Sequence, residues 1–229
     1  MITQIYSIQT VEEALACIEA GADHLGLLPE QLEDGKPIPC GVPKSVCHDI
    51  LNACRGRAVL SFLSVNDDPQ FYYDMASEYH PDIIHVTGKR FFVSEPFVKK
   101  IKELSPGTRV MQAVPMTGPE AVDFAKKYAQ WADLLILDSV APDHDEIGAA
   151  GVTHDWDLDR QIVESVDVPV IIAGGLGPDN VAAAIEHVRP WGVDSLTKTD
   201  EFLPDGTRLQ KKDIAKVRAF CQAAKAAGR

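Results

Sequence analysis

Long apolar runs are missing from this 229-residue chain, and with them any stretch of the roughly 18–20 apolar residues that a membrane-spanning helix requires. The opening residues, Met1-Ile2-Thr3-Gln4-Ile5-Tyr6, have no basic stretch leading into an apolar core. No secretory leader is therefore expected, and a cytoplasmic location is. Positive charge is scarce: 22 Lys and Arg stand against 34 Asp and Glu, a net charge of −12. That balance argues against a nucleic-acid partner or an anionic membrane surface. An anionic small molecule would have to be met by local N–H groups or one placed cation. Cysteine is odd in number, at 17, 40, 47, 54 and 221, with no Cys-x-x-Cys pair. Free, buried thiols are expected, without a disulfide framework, a metal site or any cofactor. Linkers and low-complexity tracts are absent too, so residues 1–229 are read as one domain.

What is present is alternation. β-rich runs fall at about 2–6, 24–28, 58–64, 82–86, 109–114, 133–138, 168–173 and 191–196. Between them, helical spacing marks roughly 10–20, 43–54, 69–79, 94–104, 118–130, 156–165, 178–187 and 211–227. Eight strand–helix units of about 29 residues each suit a closed (β/α)8 TIM barrel of the α/β class better than a doubly wound open sheet. Strands such as Leu134-Leu135-Ile136-Leu137 are apolar at successive positions, as burial on both faces demands. Thr10 followed by Glu13 reads as a capping box, and Pro119 and Pro178 as residues at or near first helical turns. The longest loops, 29–42, 139–155 and 197–210, follow strands two, six and eight. They therefore fall on the C-terminal face, where barrels keep their sites.

Val170-Ile171-Ile172-Ala173-Gly174-Gly175-Leu176-Gly177-Pro178-Asp179-Asn180 is the most informative stretch. A buried strand ends in glycines that let the backbone come close to a ligand, then feeds a helix, a common cradle for phosphate. A tight turn without a ligand is the plainer alternative. Barrels often hold phosphate with the loops after strands seven and eight. Gly174 and Gly175 occupy the first place and Thr197 and Lys198 the second, although a solvated Lys198 fits equally well. Asp138 closes the strand Asp133–Asp138, where apolar neighbours would desolvate it and make it a general acid. The competing role is a loop cap. His85, in Ile84-His85-Val86, could act as an acid or base near neutrality, but an interior hydrogen-bonded histidine is the commoner case. Cys47 and His48 diverge on a helix. His144, Asp145, Glu146 and His154 match no metal template and read as loop polarity.

These motifs together resemble the phosphoribosylanthranilate isomerase family, a (β/α)8 enzyme family of tryptophan biosynthesis. Thr10–Ala14 through Gly21–Gly26 is similar to its first helix and second strand, and Leu135–Ser139 to its sixth strand. Gly148–Trp156 resembles its glycine-rich loop and Asp-Trp, and Ala173–Val181 its phosphate loop. Gly192-Val193-Asp194 and Lys212-Asp213 complete the series. The resemblance spans most of the chain and is specific from about residue 134 onward. It implies a phosphorylated sugar substrate and an Amadori rearrangement, with Asp138 as the acid that opens the furanose ring.

The family's base is a cysteine in Lys-Ile-Cys-Gly. Here the stretch reads Gln4-Ile5-Tyr6-Ser7, which puts Tyr6 in its place. A free phenol titrates near 10 and a free thiol near 8.5, so an unperturbed tyrosine is much the poorer base. The family's Ser-Pro-Arg is absent from Leu27–Leu32, its Gln-Leu-His-Gly reads His85-Val86-Thr87-Gly88, and its Ser-Ser-Gly reads Leu196-Thr197-Lys198. The expected catalytic set is therefore Asp138, His85 and Tyr6, with Glu30, Asp67 or His85 as the substitute base. The expected partner is a phosphorylated sugar, and the expected assembly a monomer or homodimer. Aldolase or lyase chemistry through Lys198, and sugar-phosphate binding without catalysis, are the alternatives.

Overall fold

The computed structural model describes residues 1–33, 36–38, 40–88, 90–140 and 153–228. Twelve strands are described: β1 Ile2–Ile5, β2 His24–Leu27, β3 Leu32–Glu33, β4 Lys36–Pro37, β5 Val59–Ser64, β6 Ile83–Val86, β7 Arg109–Pro115, β8 Leu134–Asp138, β9 Val170–Ile172, β10 Gly192–Ser195, β11 Asp200–Phe202 and β12 Arg208–Lys212. Eight α-helices run with them: α1 Val11–Ala20, α2 Lys44–Cys54, α3 Pro69–Tyr79, α4 Glu95–Leu104, α5 Ala121–Tyr128, α6 Trp156–Ser165, α7 Val181–Val188 and α8 Ile214–Ala227. Strands β1-β10-β9-β8-β7-β6-β5-β2 close into a parallel barrel, each neighbour in register with the next. This is the α/β TIM barrel that the eight repeating units predict.

Two shells of side chains follow from strand alternation. Outward-facing Leu25, Leu60, Phe62, Ile84, Val110 and Leu135 meet the buried faces of the helices in one large core. Inside the barrel, Ile83, Met111, Ala113, Leu134, Ile136, Ile171 and Ala173 form a second, apolar cluster. Because Ser61 pairs with Ile83 and His85 follows two residues after Ile83, both share that interior face. The same register carries around to Gly26 opposite Ser61, Gln4 opposite His24, and Asp194 opposite Gln4. The interior is thus divided: apolar on β7 to β9, polar on β10, β1, β2, β5 and at His85 of β6.

Capping follows the chemistry of short polar side chains. Thr10 Oγ1 accepts from the Glu13 amide at 3.1 Å, while Glu13 reaches back to the Gln9 amide at 2.7 Å. Its other oxygen accepts from the Lys212 amide, tying α1 to β12. Asp68, Asp155 and Asp213 cap α3, α6 and α8 in the same way.

Some expectations shift. Residues 197–199, read as the neighbourhood of a strand end, form a single 3-10 turn, and the last helix starts at Ile214 rather than 211. Pro119 and Pro178 lie just before α5 and α7, near their first turns. The loops at 29–42 and 197–210 each carry a small antiparallel ribbon, β3–β4 and β11–β12. The five cysteines are free; four are buried and Cys40 is half-buried. No helix among the described residues is long and apolar enough to cross a membrane, and no acidic, histidine or cysteine group there could hold a metal ion.

Candidate active site

Asp138 is the last residue of β8 and sits partly exposed at the barrel mouth. Surrounding protein strips water from its carboxyl and pushes its pKa up to about 7, although the Ser139 amide donates to it at 2.8 Å. Asp194 is the neighbour that the sequence reading left out of the site. Its carboxyl is buried, accepts from Gln4 Nε2 at 3.1 Å, and is pushed up to about 8, first by burial and next by the negative charge of Asp138. Continuing the strand pairing one residue further places Asp138, Ala173 and Asp194 at one height on β8, β9 and β10. Small Ala173 therefore stands between two carboxyls that repel each other. Such a pair titrates as a unit and can hold a proton near neutral pH.

Tyr6 follows β1 and turns into the barrel. Its ring lies against the backbone of Gly26, where a Cβ would collide with the aromatic carbons. Its Oη lies 2.7 Å from Ser61 Oγ and 2.7 Å from His85 Nδ1, so one phenol links β1 to β5 and β6. Burial pushes the phenol well above its usual 10, and both Asp194 and Asp138 add to that rise. Burial also pushes His85 down to about 3. Both groups are thus neutral at pH 7. His85 Nε2 is enclosed and has no hydrogen-bond partner among the described residues. The next residue, Ser7, is held at a φ of 67°, left-handed backbone that favours glycine.

The other proposed bases are placed elsewhere. Asp67 Oδ1 accepts from the Arg90 and Phe91 amides at 2.7 and 3.0 Å, and so ties the loop after β5 to the loop after β6. Glu30 is exposed.

Gly174 and Gly175 both have positive φ, 75° and 63°. Asn180 locks the turn they begin: its Oδ1 accepts from the Gly177 amide at 2.8 Å and its Nδ2 donates to the Gly175 carbonyl at 3.1 Å. Ser195 Oγ donates to the Leu176 carbonyl at 2.7 Å and joins this turn to β10. Thr197 Oγ1 is enclosed without a hydrogen bond among the described residues. Lys198 is exposed and packs over Gly177, where a Cβ would sit 2.8 Å from its own. Gly175, Gly177, Asn180, Lys198 and Lys216 line a cleft of about 540 Å3 between this turn and α8. Behind it, Lys212 is fully buried against Asp200, donates to the Leu196 carbonyl at 3.0 Å, and so anchors the 197–199 turn. Of the four residues expected at a phosphate, Gly175 and Lys198 line this cleft and Gly174 and Thr197 do not.

His154 departs from its reading as loop polarity. It is nearly enclosed, with Nδ1 2.9 Å from Ser139 Oγ and Nε2 2.8 Å from Asp159 Oδ1. Only Asp159, falling on the buried face of α6 beside Ile162, gave a sequence signal for this pair. His144, Asp145, Glu146 and the Gly148–Gly151 motif lie outside the described residues.

A (β/α)8 barrel with paired carboxyls at the mouth and a glycine turn after its seventh barrel strand belongs to the class of barrels that carry a small-molecule site on their C-terminal face. The family model described as N-(5'phosphoribosyl)anthranilate (PRA) isomerase matches residues 8–223. The N-(5'-phosphoribosyl)anthranilate isomerase of Methanocella arvoryzae is 31% identical over 221 residues, which is 96% of this chain and 95% of that protein. The enzyme of that name from Azorhizobium caulinodans is 33% identical over 231 residues, 99% of this chain and 93% of its own. Among solved structures, phosphoribosyl anthranilate isomerase from Thermotoga maritima superposes with a TM-score of 0.79 at 24% identity, covering 99% of this chain and all of that one. The chain belongs to the phosphoribosylanthranilate isomerase family.

Proposed function

We propose that this barrel isomerises a phosphorylated ribosylamine, as the name of its relatives describes, by acid–base ring opening and proton transfer. Asp138 is the acid. It gives its proton to the furanose ring oxygen, the bond from that oxygen to the anomeric carbon breaks, and the amine nitrogen's lone pair forms a Schiff base. A base then takes the proton from the adjacent carbon, and the resulting enol relaxes to the ketose. Asp194, on the same interior ring, is the base for that second step in its ionised form, which a pKa of about 8 leaves as the minor form at pH 7. Tyr6 and His85 stay neutral and, held to each other and to Ser61, form part of the polar wall beneath the sugar. Gly174, Gly175, Thr197 and Lys198 hold the phosphate. The pair of coupled carboxyls flanking Ala173 carries this reading.

Steady-state turnover of phosphoribosylanthranilate tests it. The parent is expected to turn over, and Asp138→Asn to lose about 10²-fold or more of the rate. Tyr6 favours a second reading, in which a sugar phosphate is bound without this reaction, because a buried phenol stands where the family has a thiol base. A parent that binds the substrate without consuming it would establish that second reading and remove the first.

A further inference from the structure

Beneath the mouth, a second set of polar groups is built into the wall next to Asp138. His154 links Ser139 Oγ, at 2.9 Å from its Nδ1, to Asp159, whose two oxygens lie 2.8 and 3.0 Å from its Nε2. Asp159 is completely enclosed and His154 nearly so. A buried pair of this kind adds little net stability compared with apolar side chains of the same volume, because desolvating both members is costly. Its place in the fold is therefore informative. Asp159 stands on the face of α6 that also buries Ile162, where an apolar residue would pack without penalty. The fold also leaves space for it: a Cβ on Gly174 would meet Ser139 Oγ and lie 2.7 Å from His154 Nδ1.

We propose that His154 and Asp159 form a positioning pair for Asp138, holding Ser139 so that its amide fixes the Asp138 carboxyl and setting the charge which that carboxyl faces. With Asp159 accepting from Nε2, Nδ1 of a neutral His154 accepts the Ser139 hydroxyl proton, and Nδ1 of a protonated His154 donates to the same oxygen. Ser139 stays tethered in either state. Its amide donates to Asp138 Oδ1 at 2.8 Å, so the tether ends on the carboxyl itself. The electrostatics run in opposite directions: charge on His154 pulls the Asp138 pKa down and charge on Asp159 pushes it up. Other charged groups face the pair from both helices. Asp155 and His187 act on Asp159, and His187 is itself held by Asp157 at 2.7 Å.

The inference rests on Asp138 being the acid of the proposed reaction, so its test reads Asp138 without any reaction. Carboxyl carbon NMR on the full chain follows the titration of Asp138 in the parent, in His154→Gln and in Asp159→Asn. His154→Gln is expected to raise the Asp138 midpoint by about half a pH unit or more, and Asp159→Asn to lower it. The asparagine amide still accepts from Nε2, which keeps the second variant folded if the first is not. Shifts of opposite sign support the proposal, because loss of packing alone would move both variants the same way. An unmoved midpoint, or two shifts of one sign, overturns it. Phosphoribosylanthranilate turnover in the same proteins reads the acid role separately. Opposed shifts in a protein whose parent turns over nothing uphold the positioning pair and sink the acid assignment instead.

Discussion

Single residues account for most of what distinguishes this mouth. Tyr6 is the largest of them. Its hydroxyl satisfies Ser61 and His85 at once, and its ring replaces the space above Gly26. Tyr6→Phe keeps the ring and removes both contacts, leaving buried groups unpaired. A loss of about 1–3 kcal/mol in chemical denaturation is expected; a variant as stable as the parent would mean the three groups do not depend on one another. Asp138 was legible in the sequence because a carboxylate at the end of an apolar strand is a local signal. Asp194 was visible only as part of a motif, since its meaning comes from a register across two strands that no local pattern shows. His154 and Asp159 were missed for a similar reason: His154 looks like loop polarity, Asp159 is marked only by sharing a helix face with Ile162, and their contact forms when α6 docks on the barrel.

At the scale of elements, the order of strands and helices was readable and their ends only to within about three residues, because parallel strands buried on both faces are apolar throughout while helix starts carry weaker signals. Leu134–Leu137 and Val170–Ile172 are strands of this kind. The ribbons β3–β4 and β11–β12 were not readable. Strands of two to five residues with Lys and Pro at exposed positions carry no apolar alternation, and β12 alternates only in burial. They matter nonetheless, since Lys212 at the end of β12 holds the carbonyl of Leu196 next to the 197–199 turn. The glycine turn after β9 makes its own prediction. Gly174→Ala places a side chain on left-handed backbone and into Ser139 and His154. It should cost about 2 kcal/mol or more by thermal or denaturant unfolding, and should weaken binding of inorganic phosphate. An alanine variant with parental stability would contradict the packing described around Gly174.

Across the whole molecule, four desolvated titratable groups in the barrel and at its mouth give stability a characteristic pH dependence. Asp138 and Asp194 hold protons in the folded state up to about 7 and about 8, whereas a free aspartate releases them near 3.9. Each stabilises the fold at low pH and loses that contribution as pH rises toward its folded value. Burial lowers His24 to about 4 and His85 to about 3, against about 6.5 when free. These lose their contribution as pH falls. The two pairs oppose one another between about pH 4 and 6.5, where the net dependence should be shallow. Above about 6.5 only the carboxyls act, and stability should fall toward pH 8. Denaturant unfolding across this range checks it, and Asp138→Asn with Asp194→Asn should flatten the fall. A parent that gains stability from pH 6.5 to 8 would show that the two carboxyls are ionised at no cost.

The same two carboxyls bring the account back to chemistry, where the most direct measurement is NMR of phosphoribosylanthranilate incubated with the parent and with Asp138→Asn. The account predicts that in the parent the anomeric signal disappears as a ketose of unchanged mass accumulates, and that Asp138→Asn leaves the substrate intact over the same time. Substrate unchanged by the parent, or fragments from a broken carbon–carbon bond, would contradict it.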